Sequence, residues 1–318
     1  MGKPIVFLFS GQGSQYYHMG KELWKSHPTF RYWMLKLDAL VAPYTGTSVV
    51  NEIYHPQKGV QDSFDRLLYT HSAIFMVEYA LYQVLLEQRI KPDYVLGTSL
   101  GEFTSAAVAG VLSVEDIAAC VASQASAIER SCAKGGMIAI LNRPDLYYET
   151  PQLYENCELA SVNYSSHFVI SGGDEQLGRI IQFLKEEQIL HQRLAVSYAF
   201  HSSLLEAAEE EFLFLAQAKS YRQPVIPIIS SLQGGLAQEV NDRFLWEIVS
   251  RPIRFQEAIR YLENLHECIY VDVGPSGTLA NFIKQQDKEK FGQRCFSICT
   301  PFNQEFKNLH TLQNLFCP

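Results

Sequence analysis

The stretch Tyr94-Val95-Leu96-Gly97-Thr98-Ser99-Leu100-Gly101 constrains this chain more than any other. A short apolar run, Tyr94–Leu96, ends in Gly-x-Ser-x-Gly, and small residues follow to about Gly110. That order predicts a strand, a sharp turn and a helix, with Ser99 at the apex. The flanking glycines permit a turn tight enough to lift the serine hydroxyl clear of its own backbone. The helix N-terminus beneath offers free N–H groups and a positive dipole end to an oxyanion. A Gly/Ser turn that merely caps a helix shares the pattern, but the strand-turn-helix frame favours a catalytic serine.

The surrounding rhythm fits an α/β fold on a mostly parallel sheet, because short apolar runs alternate with longer segments of helical period. Ile5–Phe9 reads as a buried strand, followed by the turn Gly11-Gln12-Gly13 and a helix with two early aromatics. Residues 71–88 have helical spacing and should pack on the sheet, and Ser113 with Asp116 three positions on forms a capping pattern. Between about Ala133 and Ser197 the rhythm changes. Strands at Met137–Ile140, Leu159–Asn163, Phe168–Ser171 and Ile189–Ala195, with helices at 144–156 and 174–187, give the split βαβ, ferredoxin-like order. The expected organisation is therefore a large α/β subdomain, residues 1–132 and 198–318, carrying an inserted α+β subdomain, 133–197. Helices at 201–218, 253–265 and 277–286 and strands at 226–230 and 269–273 complete the large part.

Composition narrows the function classes. With 318 residues, 47% hydrophobic and 19% charged, the chain reads as an ordinary globular protein. Its net charge of -8 argues against a general nucleic-acid binder, which needs a basic field. Seven scattered cysteines, Cys120, Cys132, Cys157, Cys268, Cys295, Cys299 and Cys317, contain no CxxC pair. They suggest neither a disulfide framework nor a zinc site, but buried thiols in a reducing compartment. The apolar stretch after Met1-Gly2-Lys3 is too short for a signal core or a membrane span, and Val6 breaks the myristoylation pattern. A cytoplasmic location, no membrane, no metal and no cofactor are the expectations.

A serine hydroxyl needs a base at neutral pH. His201, in Ala199-Phe200-His201-Ser202-Ser203, stands where an imidazole can project from a loop into a cleft; the other eight histidines have less distinctive settings. A carboxylate could orient the ring, and Asp174 falls in the right interval. Yet Gly172-Gly173-Asp174 is explained as well by a helix cap, and a backbone carbonyl could do the orienting.

Taken together, Gly11-Gln12-Gly13-Ser14-Gln15, the turn at Ser99 and Ala199-Phe200-His201-Ser202 resemble the malonyl-CoA:acyl carrier protein transacylases and the acyltransferase domains of polyketide synthases. The likeness spans nearly the whole chain. It continues through Asn163, Arg251-Pro252-Ile253-Arg254-Phe255 and Val273-Gly274-Pro275-Ser276-Gly277. It implies that Ser99 forms an acyl-enzyme, that His201 is base and then acid, and that the backbone N–H groups of Gln12 and Leu100 form the oxyanion hole. It implies a main-chain carbonyl near Ile248 behind the imidazole, and Asn163 near the cleft. Acyl carrier protein or synthase carrier domains become the expected partners, with acyl-CoA as another acyl source; phosphopantetheine arrives with the substrate.

The departures from that family are informative. Members handling malonyl groups carry an arginine on the helix after the Ser turn, pairing bidentately with the free carboxylate. The matching residue here is Gln124, and Arg130 lies six residues on, turned to another part of the helix. A buried carboxylate without its partner costs about 3–5 kcal/mol. That is about two to four powers of ten in selectivity at ~1.4 kcal/mol per tenfold. Thr98 replaces the usual His before the serine, and Tyr198 opens the Tyr198-Ala199-Phe200 triplet, where Phe200 limits branching at the acyl α-carbon. Replacement of the arginine by glutamine resembles the acyl hydrolases of polyketide pathways lacking built-in acyltransferases. The alternatives are a malonyl transacylase and, more remotely, a non-catalytic binding module.

Overall fold

The computed structural model describes residues 2–316; Met1, Cys317 and Pro318 lie outside the described residues. Strand Ile5–Phe9 is buried from its second residue onward and sits in the middle of a six-stranded sheet. Across that sheet the order is 295–297, 269–272, 5–9, 94–97, 228–230, 235–236, all parallel except the antiparallel edge strand Gly235–Leu236. Parallel strands need both faces covered. Alternation along Ile5–Phe9 divides accordingly: Phe7 and Phe9 join the larger core, while Val6 and Leu8 join a second cluster with helices Phe255–Leu265 and Thr278–Gln286. Helix Leu67–Glu87 is apolar nearly all round and buried along most of its length, as a helix enclosed by others should be.

The second sheet is antiparallel, drawn from strands Gly135–Ile140, Glu158–Tyr164, His167–Gly173 and His191–Arg193. Its spatial order is the second, third, first and fourth of these, which is the ferredoxin-like arrangement. Period-two alternation again assigns the faces. Ile138, Ile140, Phe168 and Ile170 pack on helix Asp174–Glu186 through Leu177, Ile180 and Leu184. Met137, Ala139 and Val169 face the large subdomain instead. A backbone bond from Ile253 N to Ala160 O, 2.8 Å, joins the two parts.

Several local expectations change. The segment 144–156 forms two short helices, Asp145–Glu149 and Pro151–Tyr154, because Pro151 starts a new helix after the extended Thr150. The helix expected straight after Gly11-Gln12-Gly13 begins later, at Lys21, and is followed by Pro28–Thr45. Residues 201–218 open instead with a 3₁₀ turn, Ser203–Ala208, before helix Glu209–Ala216. Strand Cys295–Ser297 and helices Asp242–Ser250 and Glu305–Phe316 are additions. Ser113 does cap helix Val114–Ser131, accepting from Asp116 N at 3.1 Å. Six cysteines are free thiols, and Cys317 lies outside the described residues. No helix among the described residues is long and apolar enough to cross a membrane.

Candidate active site

The turn after strand Tyr94–Gly97 sets the site. Thr98 N donates to Phe9 O at 2.9 Å, and Gly101 N and Glu102 N close the turn onto Thr98 O and Ser99 O. Helix Gly101–Val108 follows immediately. A Cβ on Gly101 would stand 2.1 Å from Phe9 O, and one on Gly97 would stand 2.4 Å from Glu102 N, so neither position admits another residue without moving backbone. Ser99 itself has φ +54°, a left-handed conformation that non-glycine residues adopt at a cost. The surrounding bonds hold it there.

Two buried carboxylates brace this floor, and the sequence did not mark either. Glu78 accepts from Ser10 N at 2.6 Å, Ser10 Oγ at 3.1 Å and Thr104 Oγ1 at 2.7 Å. It thereby ties the start of the Gly11-Gln12-Gly13 loop to the turn helix. Glu102 accepts from Ser230 Oγ, Ser231 Oγ and Leu232 N at 2.8–3.1 Å. Burial pushes its carboxyl up to about 7, against the pull of those donors. The available signal was an acid in an otherwise small, apolar helix. At a helix N-terminus, however, an acid also satisfies the dipole, so the signal is ambiguous.

His201 is buried, and it lies in a loop ahead of the 3₁₀ turn with φ +60°. Its backbone N donates to Val249 O at 2.8 Å, and its Nδ1 to Arg251 O at 2.8 Å. A carbonyl can only accept, so the proton is on Nδ1 and the Nε2 lone pair is free. The orienting group is a main-chain carbonyl, that of Arg251, three residues beyond Ile248. Ile248 is inside helix Asp242–Ser250, whereas Arg251 is the extended residue ending it, with its carbonyl released. Burial lowers the imidazole to about 4, so the ring is neutral at physiological pH. Asp174 takes no part: it pairs with Arg193 on the exposed side of the small subdomain.

Ser99 and His201 line one cleft of about 250 Å³ between the two sheets. Thr98, Gln12, Asn163 and Phe200 line it too, and Met137, Ala139, Val169 and Leu194 make its apolar wall. Asn163 donates from Nδ2 to His167 Nδ1 at 3.0 Å and accepts from Ser161 Oγ at 3.3 Å. Among the described residues, neither Gln12 N–H nor Leu100 N–H donates to a protein acceptor. No Lys, Arg, Asp or Glu side chain is among the residues lining this cleft.

Two expected substrate contacts fall outside the lining. Gln124 is wholly buried on helix Val114–Ser131, donating to Leu245 O at 3.2 Å, and is not among the residues lining the cleft. Tyr198 points away, its hydroxyl accepting from Lys134 Nζ at 2.9 Å while the ammonium sits over its ring. Such an arrangement can present a hydroxyl, a neutral base and two N–H donors to a carbonyl in a neutral, partly apolar pocket.

Comparison with known proteins bears on the family and the fold. The chain is 54% identical over 318 residues to the polyketide biosynthesis acyltransferase homolog PksD of Bacillus subtilis, covering 100% of this chain and 98% of that one. It is 50% identical over 315 residues to BaeD, the corresponding homolog of Bacillus velezensis, covering 99% and 97%. A loading acyltransferase from the avermectin modular polyketide synthase superposes with a TM-score of 0.88 at 26% identity, over 97% of this chain and 99% of the other. The acyl transferase domain model matches residues 6–314. The chain belongs to the acyl transferase domain family.

Proposed function

We propose that this enzyme removes neutral acyl groups from acyl carrier protein thioesters in polyketide biosynthesis, through an acyl-enzyme on Ser99 that water releases. The observation that carries the reading is the cleft lining, which offers no charged side chain to the acyl group. A malonyl carboxylate buried there would lack a cation. The likeness to polyketide acyltransferase homologs supports carrier-bound thioesters as the substrate class and a carrier protein as the partner.

In this mechanism His201 Nε2 takes the Ser99 proton as Oγ attacks the thioester carbonyl. Gln12 N–H and Leu100 N–H hold the oxyanion. The C–S bond breaks, and His201 returns the proton to the departing phosphopantetheine sulfur. Water then attacks the serine ester, giving up its proton to His201. The ester C–O bond breaks, Ser99 regains its proton, and a free carboxylic acid leaves. The chain's own groups supply every proton transfer.

Incubation with acetyl-carrier protein and with malonyl-CoA, following covalent mass and free acid, tests the reading. The expected result is steady release of acetate with little malonyl adduct. A stable malonyl adduct on Ser99 that passes to carrier protein would establish transacylation instead. Full turnover by Ser99→Ala would remove the mechanism altogether.

A further inference from the structure

His71 is fully buried behind the cleft, and the mechanism above leaves it unused. It sits on helix Leu67–Glu87, where three neighbours converge on one ring. On one edge, Gln12 Nε2 donates to His71 Nδ1 and, with its second proton, to Thr70 Oγ1 at 2.8 Å. On one face, the ring stacks on Phe200 with centroids 5.6 Å apart, and Phe200 is both a cleft residue and the neighbour of His201. Gln124 is the third neighbour. Its Oε1 and His71 Nε2 are both buried polar atoms, and neither makes a hydrogen bond in the structure.

This set admits one assignment of protons. Nδ1 receives a hydrogen from Gln12, so the ring proton is on Nε2, a buried donor for which the equally unpartnered Gln124 Oε1 is the complementary acceptor. Gln124 donates to Leu245 O through Nε2, which leaves its Oε1 as the atom able to accept from the ring. An amide has both capacities; a guanidinium has donors only and would confront the Nε2–H. We infer that His71 is a positioning residue for the oxyanion loop: Gln124 fixes its tautomer, and its free Nδ1 holds the Gln12 side chain so that the Gln12 backbone N–H stays aimed into the cleft. Burial keeps the ring neutral, lowering it to about 3, so the acceptor lone pair persists at working pH. Gln124 thus acts on the reaction through His71, without touching the acyl group. The inference rests on the acyl-enzyme reading for its kinetic consequences, though not for the tautomer.

The test uses acetyl-carrier protein hydrolysis together with ¹⁵N spectra of the histidine rings at neutral pH. His71→Phe keeps the stack on Phe200 but removes the acceptor. Its kcat should fall about 10- to 100-fold, the scale of a misplaced catalytic group, with KM within about twofold. His71→Gln restores an acceptor and a donor and should stay within about threefold of the parent. The His71 ring should appear as the Nε2–H tautomer, and Gln124→Leu should shift that signal and lower kcat even if His71→Phe fails to fold. A folded His71→Phe with unchanged kcat would overturn the inference, as would a His71→Gln as impaired as the Phe variant or an Nδ1–H ring. Activity retained by Ser99→Ala would instead strike the acyl-enzyme reading and leave the spectral result to decide the tautomer.

Discussion

The floor of the cleft comes from the carboxyl ends of parallel strands together with the loop that carries His201, whereas the opposite wall is one face of an antiparallel sheet. On the floor, Ser99 and His201 both hold left-handed backbone conformations, and buried carboxylates pin the adjoining turns. On the wall, Met137, Ala139 and Val169 are ordinary alternating residues whose neighbours Ile138 and Phe168 face the other way. Strain and buried acids accompany the reacting groups, and an unstrained apolar surface meets the acyl chain. Floor changes should therefore alter rate or folding, and wall changes should alter which acyl group is accepted.

The largest expected effect is on the floor. His201→Ala should lower kcat by at least about 10³-fold, as loss of a base does in serine acyl-transfer enzymes. The parent should keep its activity down to about pH 4, where the buried ring takes a proton, and not fall off near 6.5. An acid limb at 6.5 in kcat/KM would assign the base elsewhere. Gly101→Ala comes next. Its methyl would meet Phe9 O at 2.1 Å, so about 3 kcal/mol of stability should disappear, read from urea midpoints.

A smaller effect separates the acids beneath the floor from the histidines above them. Glu102 holds its proton to about pH 7 when folded, against 4.5 for the ordinary group. Between those values the folded chain binds the extra proton, so the Glu102 contribution is full below 4.5 and is lost as pH rises to 7. His201 has the opposite sign: its folded value of about 4 lies below 6.5, so its contribution is full above 6.5 and is lost as pH falls toward 4. Glu102→Gln removes only the first slope. Its stability should gain about 2–3 kcal/mol on the parent between pH 4.5 and 7.5, since each tenfold change in proton affinity is worth about 1.4 kcal/mol. Parallel stability–pH curves for the two proteins would refute that assignment.

The floor was legible in the sequence because its demands are steric and local. Gly97 and Gly101 are required by atoms only a few residues away or on the next strand, and that requirement shows as a pattern around Ser99. His201 was legible by its setting, but its orienting carbonyl only through the family resemblance, and then to within three residues. Arg251 lies 50 residues on and offers nothing but its backbone, which every residue has. Gln124 was legible as a neutral replacement, yet its position behind His71 depends on how two helices pack. Strand Cys295–Ser297 has three residues and no alternation long enough to register. The small subdomain was readable in order and type because its strands alternate, although Pro151 divided one of its helices.

The wall offers the smallest prediction. Ala139 lines the cleft from the penultimate position of strand Gly135–Ile140, and its neighbour Ile138 is buried against the subdomain's own helix. Ala139→Phe should fill space that a longer acyl chain would occupy. The ratio of kcat/KM for hexanoyl- over acetyl-carrier protein should drop about 10-fold, the scale of one or two methylenes in an apolar pocket. Acetyl turnover should hold within about twofold, because Ser99, His201 and the Gln12 loop are untouched. Ile138→Val should do the reverse, costing about 1 kcal/mol of stability while leaving the ratio alone. If the two substitutions changed selectivity equally, the division between a reacting floor and a selecting wall would fail, since residues one apart on a strand face opposite sides of the sheet.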